Sequence, residues 1–512
     1  MGKIKDFYNQ NKLEFILLIL ILLIGAFFRL YRIGEYMTFL GDEGRDAIIV
    51  RRLLTEFDLI LIGPGTSIGN MYLGPLYYYL IAPSLFIFNF SPIGPSIFIA
   101  LIGVLTIFLV WYVGRDWFGG RAGLIASFLY SISPTVIIYS RSSWNPNIMP
   151  FFSLLSVYSI WKVWKDRSYS WLLVLSVSVS FCLQSHYLAL LLVPFFAIIW
   201  FLALWETRWA GGTRRLLIYS FWSFLLFLFL MSPLLIFDIR HGWINFNAMK
   251  TFFSVRQTTV SARPWTAIPN MLPIWEEFVT RILAGRNEIL GRWTSLSFLG
   301  VLLWIVGKTK LSILKREYWA YSIIAIWIGI SLVGFGVYKQ EIYDHYYGII
   351  FTSPFLLAGG MMDQLIDNHK IRGVWISAFG LLFLTYFNLI ENPLRYPPNR
   401  QLQRTVEVAR RIEKEAGGMP FNLAVIAERN YEDAYQYFLE KWGSGVTDID
   451  PLNSEETIKS QLFVVCELPR EKCDPTHNPK AEVANFGWSR VDEVWEETGV
   501  TVFKLVHTKG EE

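Results

Sequence analysis

Charge is scarce in this chain. Asp, Glu, Lys and Arg make up 17% of its 512 residues, while 53% are hydrophobic and 17% aromatic. That balance excludes an ordinary soluble enzyme, in which about a quarter of residues are charged, and fits a polytopic membrane protein. The net charge is only +4 and no basic stripe carries interleaved aromatics, so nucleic acid is excluded as a partner. Nucleotide and hydrolase signatures are missing as well: there is no P-loop, G-x-G-x-x-G, H-E-x-x-H or nucleophile elbow. Cysteine is rare. Cys182 lies inside an apolar run and reads as a small core residue, whereas Cys466 and Cys473 lie in a polar tail and are expected to pair. No small-residue cleavage site follows the first apolar run, which continues into Phe27-Phe28-Arg29-Leu30-Tyr31 and so reads as a retained span.

What is abundant is the long apolar run. The first covers residues 15–28, and others follow at about 95–113, 122–140, 148–164, 169–185, 187–204, 215–235, 294–308, 317–337, 346–363 and 373–391. One further run, 74–90, decides the topology. If it lies in the interface, then Lys3, Lys5 and Lys12 share a side with Arg115 and Arg121, with Lys162, Lys165 and Arg167, and with Arg208, Arg214 and Arg215. Lys308, Lys310, Lys315 and Arg316, and then Lys370 and Arg372, join them. That is the pattern the positive-inside rule requires. The reading is a polytopic α-helical protein of the plasma or inner membrane with about eleven transmembrane helices. Its N-terminus is cytoplasmic, and interfacial helices occupy the first outer loop.

The same parity gathers the unusual polar residues on the outer face. Asp42 and Glu43 come first, between glycines in Leu40-Gly41-Asp42-Glu43-Gly44-Arg45-Asp46. Carboxylates at a membrane edge lose hydration, so such groups point to function. Arg141, Asn145 and Asn147 follow, then Gln184-Ser185-His186-Tyr187, then Asp238, Arg240 and His241, and last His345, Tyr346 and Tyr347. His369 alone among the histidines before the tail sorts to the inner side. The outer loop 238–293 is long enough to hold short helices and to cover a site.

Composition changes at about Asn392, where Pro393, Pro397 and Pro398 mark a linker. Beyond it come a charged helical stretch at 401–416, β-like runs at 423–427, 461–466 and 500–506, and a helix near 431–441. Residues 1–391 are therefore expected to form the membrane domain and 392–512 a small extracytoplasmic α/β domain.

Activated nucleotides are scarce on an outer face, so an activated substrate would arrive in the membrane as a lipid phosphate or pyrophosphate. Acids to deprotonate an acceptor, cations to receive a leaving phosphate and aromatics to hold a sugar are the parts such a transfer needs. Asp42 and Glu43 supply the first; Arg141, Arg240, His241 and His345 are candidates for the second. Tyr77 to Tyr79, Trp144, Tyr346 and Tyr347 are candidates for the third. These stretches, with Gly74-Pro75-Leu76-Tyr77-Tyr78-Tyr79 and the segment from Gly114 to Gly123, resemble the membrane-embedded glycosyltransferases of the GT-C superfamily. The similarity is to the protein O-mannosyltransferase and aminoarabinose transferase group. It covers about residues 13–391.

The resemblance implies a GT-C fold and a polyprenyl-phosphate-linked sugar donor. It implies transfer with inversion to a hydroxyl on a protein, lipid or glycan acceptor, with Asp42 as the catalytic carboxylate and Glu43 beside it. Arg141, Asn145, His186, Asp238, Arg240, His241, His345 and Tyr346 are the expected contacts to substrate and lipid phosphate. One departure stands out. Some relatives carry a Glu-Lys pair after Tyr-Leu, the Glu helping to bind a divalent metal and the Lys meeting the lipid phosphate. Here Tyr72-Leu73 is followed by Gly74-Pro75, so a metal site is in doubt and no cofactor is assigned. Two other classes compete: a transporter or flippase of lipid-linked or polar substrates, and an inactive GT-C scaffold. A transporter calls for polar groups along the depth of the bundle, whereas here they gather at one face.

Overall fold

The computed structural model describes residues 11–69, 71–255, 259–261, 263–309 and 318–508. The expectations resting on Lys3, Lys5, Lys310, Lys315 and Arg316 fall outside these residues. Helix α1 (Lys12–Leu30) buries Leu18, Ile21, Gly25 and Arg29 and leaves Leu13, Leu20, Leu23 and Phe27 exposed. An apolar face left open in this way is what a lipid-facing helix presents. The first loop holds α2 (Gly41–Glu56) and α3 (Leu76–Ile87), and α4 (Ile93–Phe118) returns through the bundle. There follow α5 (Gly120–Ile132), α6 (Met149–Lys165), α7 (Trp171–Ser185), α8 (Leu192–Ala210) and α9 (Thr213–Arg240). Within 238–293 the chain forms α10 (Ile244–Ser254) and α11 (Ile268–Ile282), and α12 (Glu288–Thr309), α13 (Trp319–Val337) and α14 (Ser353–Ile390) complete the helical part. Among the described residues, six helices are long and apolar enough to cross a membrane.

The run 346–363 enters α14 only from Ser353, and with the run 373–391 it makes the two limbs of that helix. Lys370 breaks the helix, with φ 49° and ψ −122°. The limbs then lie side by side, Ser377 Oγ donating to the Met362 carbonyl at 3.1 Å. Gly373 sits where a Cβ would lie 2.0 Å from the Leu365 carbonyl oxygen, so only glycine permits this approach.

Charged side chains gather at the two ends of the bundle. At one end Arg115 pairs with Glu14, Arg121 with Asp363 and Asp367, and Lys162 with Asp116 and Asp166. At the other end lie α2 and the C-terminal residues.

From α15 (Gln401–Glu415) the chain changes architecture. Strands β1 (Asn422–Ile426), β2 (Gln461–Cys466), β3 (Ser489–Glu497) and β4 (Val500–His507) form one sheet in the order β1-β2-β4-β3. The β1–β2 pair is parallel and the other two are antiparallel. Alternating residues serve two faces, as the pleat dictates. Leu423, Val425, Phe463 and Val465 pack with Val408, Ala409 and Ile412 of α15 and with α16 (Asp433–Trp442). Ala424, Ile426, Leu462 and Val464 face Val483 and Phe486. Cys466 and Cys473 are joined, with an S–S distance of 2.07 Å.

The C-terminal sheet does not stand apart. Its first core runs on into Met37, Phe39, Ala47 and Ile48 of the first loop. The Phe39 ring lies 5.7 Å from that of Phe438 and 6.2 Å from that of Tyr437. Tyr437 Oη donates to the Phe90 carbonyl at 2.6 Å, and Arg52 meets Glu440 at 2.6 Å. Tail and first loop thus share one end of the molecule.

Candidate active site

Asp42 occupies the first turn of α2, whose N-terminus favours negative charge. Its side chain is 39% exposed and its Oδ1 receives Arg45 Nη1 at 2.8 Å, one helical turn along. Tyr431, from the C-terminal sheet unit, donates its hydroxyl to the same Oδ1. No described residue bonds Oδ2. Arg45 also grips Asp46, with Nη2 2.8 Å and Nε 3.1 Å from Oδ1. The fork geometry of a guanidinium suits two carboxylates on successive faces.

Asp42 and Arg45 line a cavity of about 250 Å³ with Thr66, Ser67, Trp144, Asn145, His186, Tyr187, His345 and Tyr346. The aromatic wall is continuous. The His345 ring lies 4.5 Å from that of Trp144, 4.6 Å from Tyr346 and 5.8 Å from His186, and His186 stacks on Tyr187 at 4.5 Å. Asn145 is fixed by donating Nδ2 to the Ser185 carbonyl at 2.6 Å. Burial pushes His186 down to about 3 and His345 down to about 4. Both imidazoles are neutral at pH 7. His186 Nδ1 accepts from the Leu188 N–H at 3.2 Å, which leaves the proton on Nε2.

Five sequence-selected residues, Asp42, Asn145, His186, His345 and Tyr346, thus meet at one cavity. Five others do not line it. Glu43 is 7% exposed, and its Oε2 accepts the Leu40 N–H at 3.0 Å, so it caps α2. Burial pushes it up to about 8, with Asp42 and Asp46 adding to the rise. Arg141 donates to the Phe28 and Tyr31 carbonyls, the latter at 2.7 Å, and so satisfies the open C-terminus of α1. Asp238 accepts the N–H groups of Asn245 at 2.7 Å and Phe246 at 3.2 Å, opening α10. Arg240 is exposed at the end of α9. His241 stacks on Phe237 at 4.0 Å and borders a separate cavity of about 550 Å³ beneath α10, which touches the first cavity at Ser67. The cation at the site is therefore Arg45 rather than His345, because buried imidazoles shed their proton.

Arg45, Asp46 and Tyr431 were missed, and Tyr78, expected to hold the sugar, does not line the cavity but donates to Asp46. Arg45 had a signal, its i,i+3 spacing from Asp42 on one helix. Asp46 is 1% exposed, accepts Tyr78 Oη at 3.2 Å, and sits at about 6, pushed up by burial against the pull of Arg45. Tyr431 had no local signal at all.

The glycines of the Asp42 stretch answer to close approach. A Cβ on Gly41 would lie 2.5 Å from the Tyr431 ring, and one on Gly44 2.4 Å from the Asp433 carbonyl. At Gly74 the space a side chain would take is filled by Gln184, whose Oε1 would lie 2.1 Å from a Cβ there. Among the described residues no three His, Cys, Asp or Glu side chains converge on a common point.

Residues 73–237 match the family described as dolichyl-phosphate-mannose-protein mannosyltransferase. The chain is similar in structure to ArnT from Cupriavidus metallidurans bound to undecaprenyl phosphate, with TM-score 0.59 and 13% identity over 96% of this chain and 97% of that one. It is also similar to the oligosaccharyltransferase AglB from Archaeoglobus fulgidus, solved with an inhibitory peptide and a dolichol-phosphate. There the TM-score is 0.51 and the identity 14%, over 89% of this chain and 69% of the other. No curated protein matches by sequence. The resemblance read from the sequence therefore holds: this chain has the fold of the GT-C membrane glycosyltransferases, and its residues 73–237 match the dolichyl-phosphate-mannose-protein mannosyltransferase family.

Proposed function

We propose that this protein transfers a sugar from a polyprenyl-phosphate donor to an acceptor hydroxyl at the extracytoplasmic face of the membrane, with inversion. The observation that carries the reading is Asp42, a half-exposed carboxylate on a cavity wall, anchored through one oxygen and open at the other. Oδ2 takes the acceptor's proton. The acceptor oxygen forms a bond to the anomeric carbon, and the bond from that carbon to the phosphate oxygen breaks. The lipid phosphate leaves with the electron pair. Arg45 and the neutral His186 and His345 are the donors available to that developing charge, and preorganised donors of this kind contribute roughly 3–4 kcal/mol each where well placed. Trp144 and Tyr346 supply apolar ring faces for the sugar.

The positive-inside pattern supports a cytoplasmic N-terminus and about eleven spans, with residues 392–512 as an outer domain. Support for the donor class comes from the similar GT-C structures, two of which were solved with a polyprenyl phosphate. The acceptor kind, whether protein, lipid or glycan, is read out by experiment.

The test is transfer by purified full-length protein in detergent, using radiolabelled polyprenyl-phosphate hexoses and a mixed acceptor extract. Asp42→Asn keeps the shape and removes the base, so transfer is expected to fall by at least about 100-fold. Near wild-type transfer in that variant would move the base elsewhere. A folded wild type that consumes no lipid-linked sugar would turn the reading toward a transporter or scaffold.

A further inference from the structure

We propose that the C-terminal unit is part of the reaction centre, with Tyr431 as the residue that positions the Asp42 carboxylate. The inference rests on the reading of Asp42 as the base. Three observations carry it. The first is the bond itself. Tyr431 Oη donates to Asp42 Oδ1 and stands 3.3 Å from Arg45 Nη1, so a side chain from the far end of the sequence closes the ring of contacts around the base. With Oδ1 occupied by two donors, rotation of the carboxylate is blocked and Oδ2 is the oxygen turned to the acceptor.

The second observation is how Tyr431 is held. Asn430 is buried, and its Oδ1 accepts both the Gly41 N–H at 2.8 Å and the Tyr431 N–H at 2.9 Å. One side chain therefore fixes the start of α2 and the start of the tyrosine together. Asn430 Nδ2 donates in turn to Glu467 Oε1 at 2.6 Å, and Tyr435 Oη reaches the same oxygen at 2.6 Å. Arg404 approaches Glu467 Oε2 at 3.4 Å. The chain of contacts runs from the sheet to the base without a gap.

The third is the absence of side chains at the contact. Gly41 lies under the Tyr431 ring, and Gly44 lies against the Asp433 backbone. Any residue with a Cβ at either place would push the C-terminal unit away. Glycine inside a helix weakens it relative to alanine. Two of them on one face of α2, flanking the acid, accord with a surface shaped to admit this partner.

A tail that merely covered the site would need neither the hydroxyl nor the pair of glycines. A tail that orients the base needs both.

The experiment uses full-length protein in detergent and the variant Tyr431→Phe, which keeps the ring on Gly41 and removes only the hydroxyl. Carboxyl labelling with a carbodiimide and glycine ethyl ester, read peptide by peptide in a mass spectrometer, reports on Asp42 without any need for activity. Exposed Asp58 is the internal control. Asp42 is expected to label several-fold faster in the variant with Asp58 unchanged, and kcat for sugar transfer is expected to fall about tenfold at unchanged donor KM, the size of one lost hydrogen bond to a charged group. Unchanged Asp42 labelling overturns the proposal, and so does faster labelling with an unchanged kcat. Faster labelling together with a wild type that consumes no polyprenyl-phosphate sugar overturns the transfer reading alone and leaves Tyr431 as the holder of Asp42.

Discussion

Glu43→Gln separates the two acids that stand side by side in the sequence. In the structure Glu43 faces away from the cavity, and its carboxyl group accepts the Leu40 N–H. A glutamine side chain presents the same carbonyl oxygen, so the capping interaction survives. What changes is the response to pH. Burial pushes Glu43 from its ordinary 4.5 up to about 8. Between those values the native chain holds a proton that the unfolded chain has released. The native state is therefore the one that binds more protons, and stability falls as pH rises through that window. The slope is about 1.4 kcal/mol per pH unit, which gives on the order of 5 kcal/mol across the interval as a ceiling.

Glutamine has no proton to lose, so it removes this slope. The Glu43→Gln variant is expected to match the wild type at pH 5 and to unfold at a higher temperature at pH 8, by several degrees at roughly 2 °C per kcal/mol. Intrinsic tryptophan fluorescence during a thermal ramp in detergent measures it at both pH values. Transfer should persist near the wild-type rate, in contrast to Asp42→Asn. A Glu43→Gln variant that is no more stable at pH 8 would refute the burial argument. If it instead loses transfer as Asp42→Asn does, Glu43 returns to the chemistry.

Two further outcomes follow from packing. Gly44→Ala gains about 1 kcal/mol of helix propensity yet places a Cβ 2.4 Å from the Asp433 carbonyl. Overpacking of that kind costs about 1–3 kcal/mol, so the variant is expected to lose stability overall and to show faster hydrogen exchange at residues 430–434; slower exchange there would contradict the contact. Replacing Cys466 and Cys473 by serine opens a short loop and is expected to lower the stability of the C-terminal unit by about 2.4 kcal/mol, read by denaturant titration of its fluorescence. No change would mean that sheet pairing alone fixes the loop.

The helical part was legible because its signal is redundant. Runs of apolar residues a membrane's width long need no partner to be recognised, and the charges between them sort by end whatever the details of packing. Strands β1, β2 and β4 were legible for a related reason, since buried runs such as Gln461–Cys466 are almost wholly apolar. Strand β3 was not, because Ser489–Glu497 carries five acidic or basic residues on a half-exposed edge and owes its pairing to β4. At the site, Asp42, Asn145, His186, His345 and Tyr346 stood out as polar groups where polar groups are costly. The same rule also picked Arg141 and Asp238, which do not line the cavity. Both are equally unusual in sequence, yet they satisfy backbone groups at helix ends, a role that depends on which carbonyl or N–H lies nearby. Periodicity cannot supply that information. Nor can it foresee that burial strips His345 of its charge and leaves Arg45 as the cation.

The sharpest gap between sequence and structure is also the most informative one. Gly41 and Gly44 look like a flexible surround for two acids, and in a loop that is how glycines usually read. Both lie in the first turn of a regular helix, with the C-terminal unit against them. Their purpose is absence of bulk rather than freedom of backbone, since neither has a positive φ. Helix α2 of the first loop brings Asp42 to the cavity and supplies Arg45 to hold it. The second hydrogen bond comes from Tyr431, whose place is set by Asn430 and Glu467 and so by the sheet. A catalytic carboxylate must be fixed closely to be useful, because misplacement of about 1 Å costs on the order of 100-fold in rate. If Asp42 is the base, as proposed, changes at residues 430–435 are expected to alter the rate of transfer before they alter binding of the lipid-linked donor.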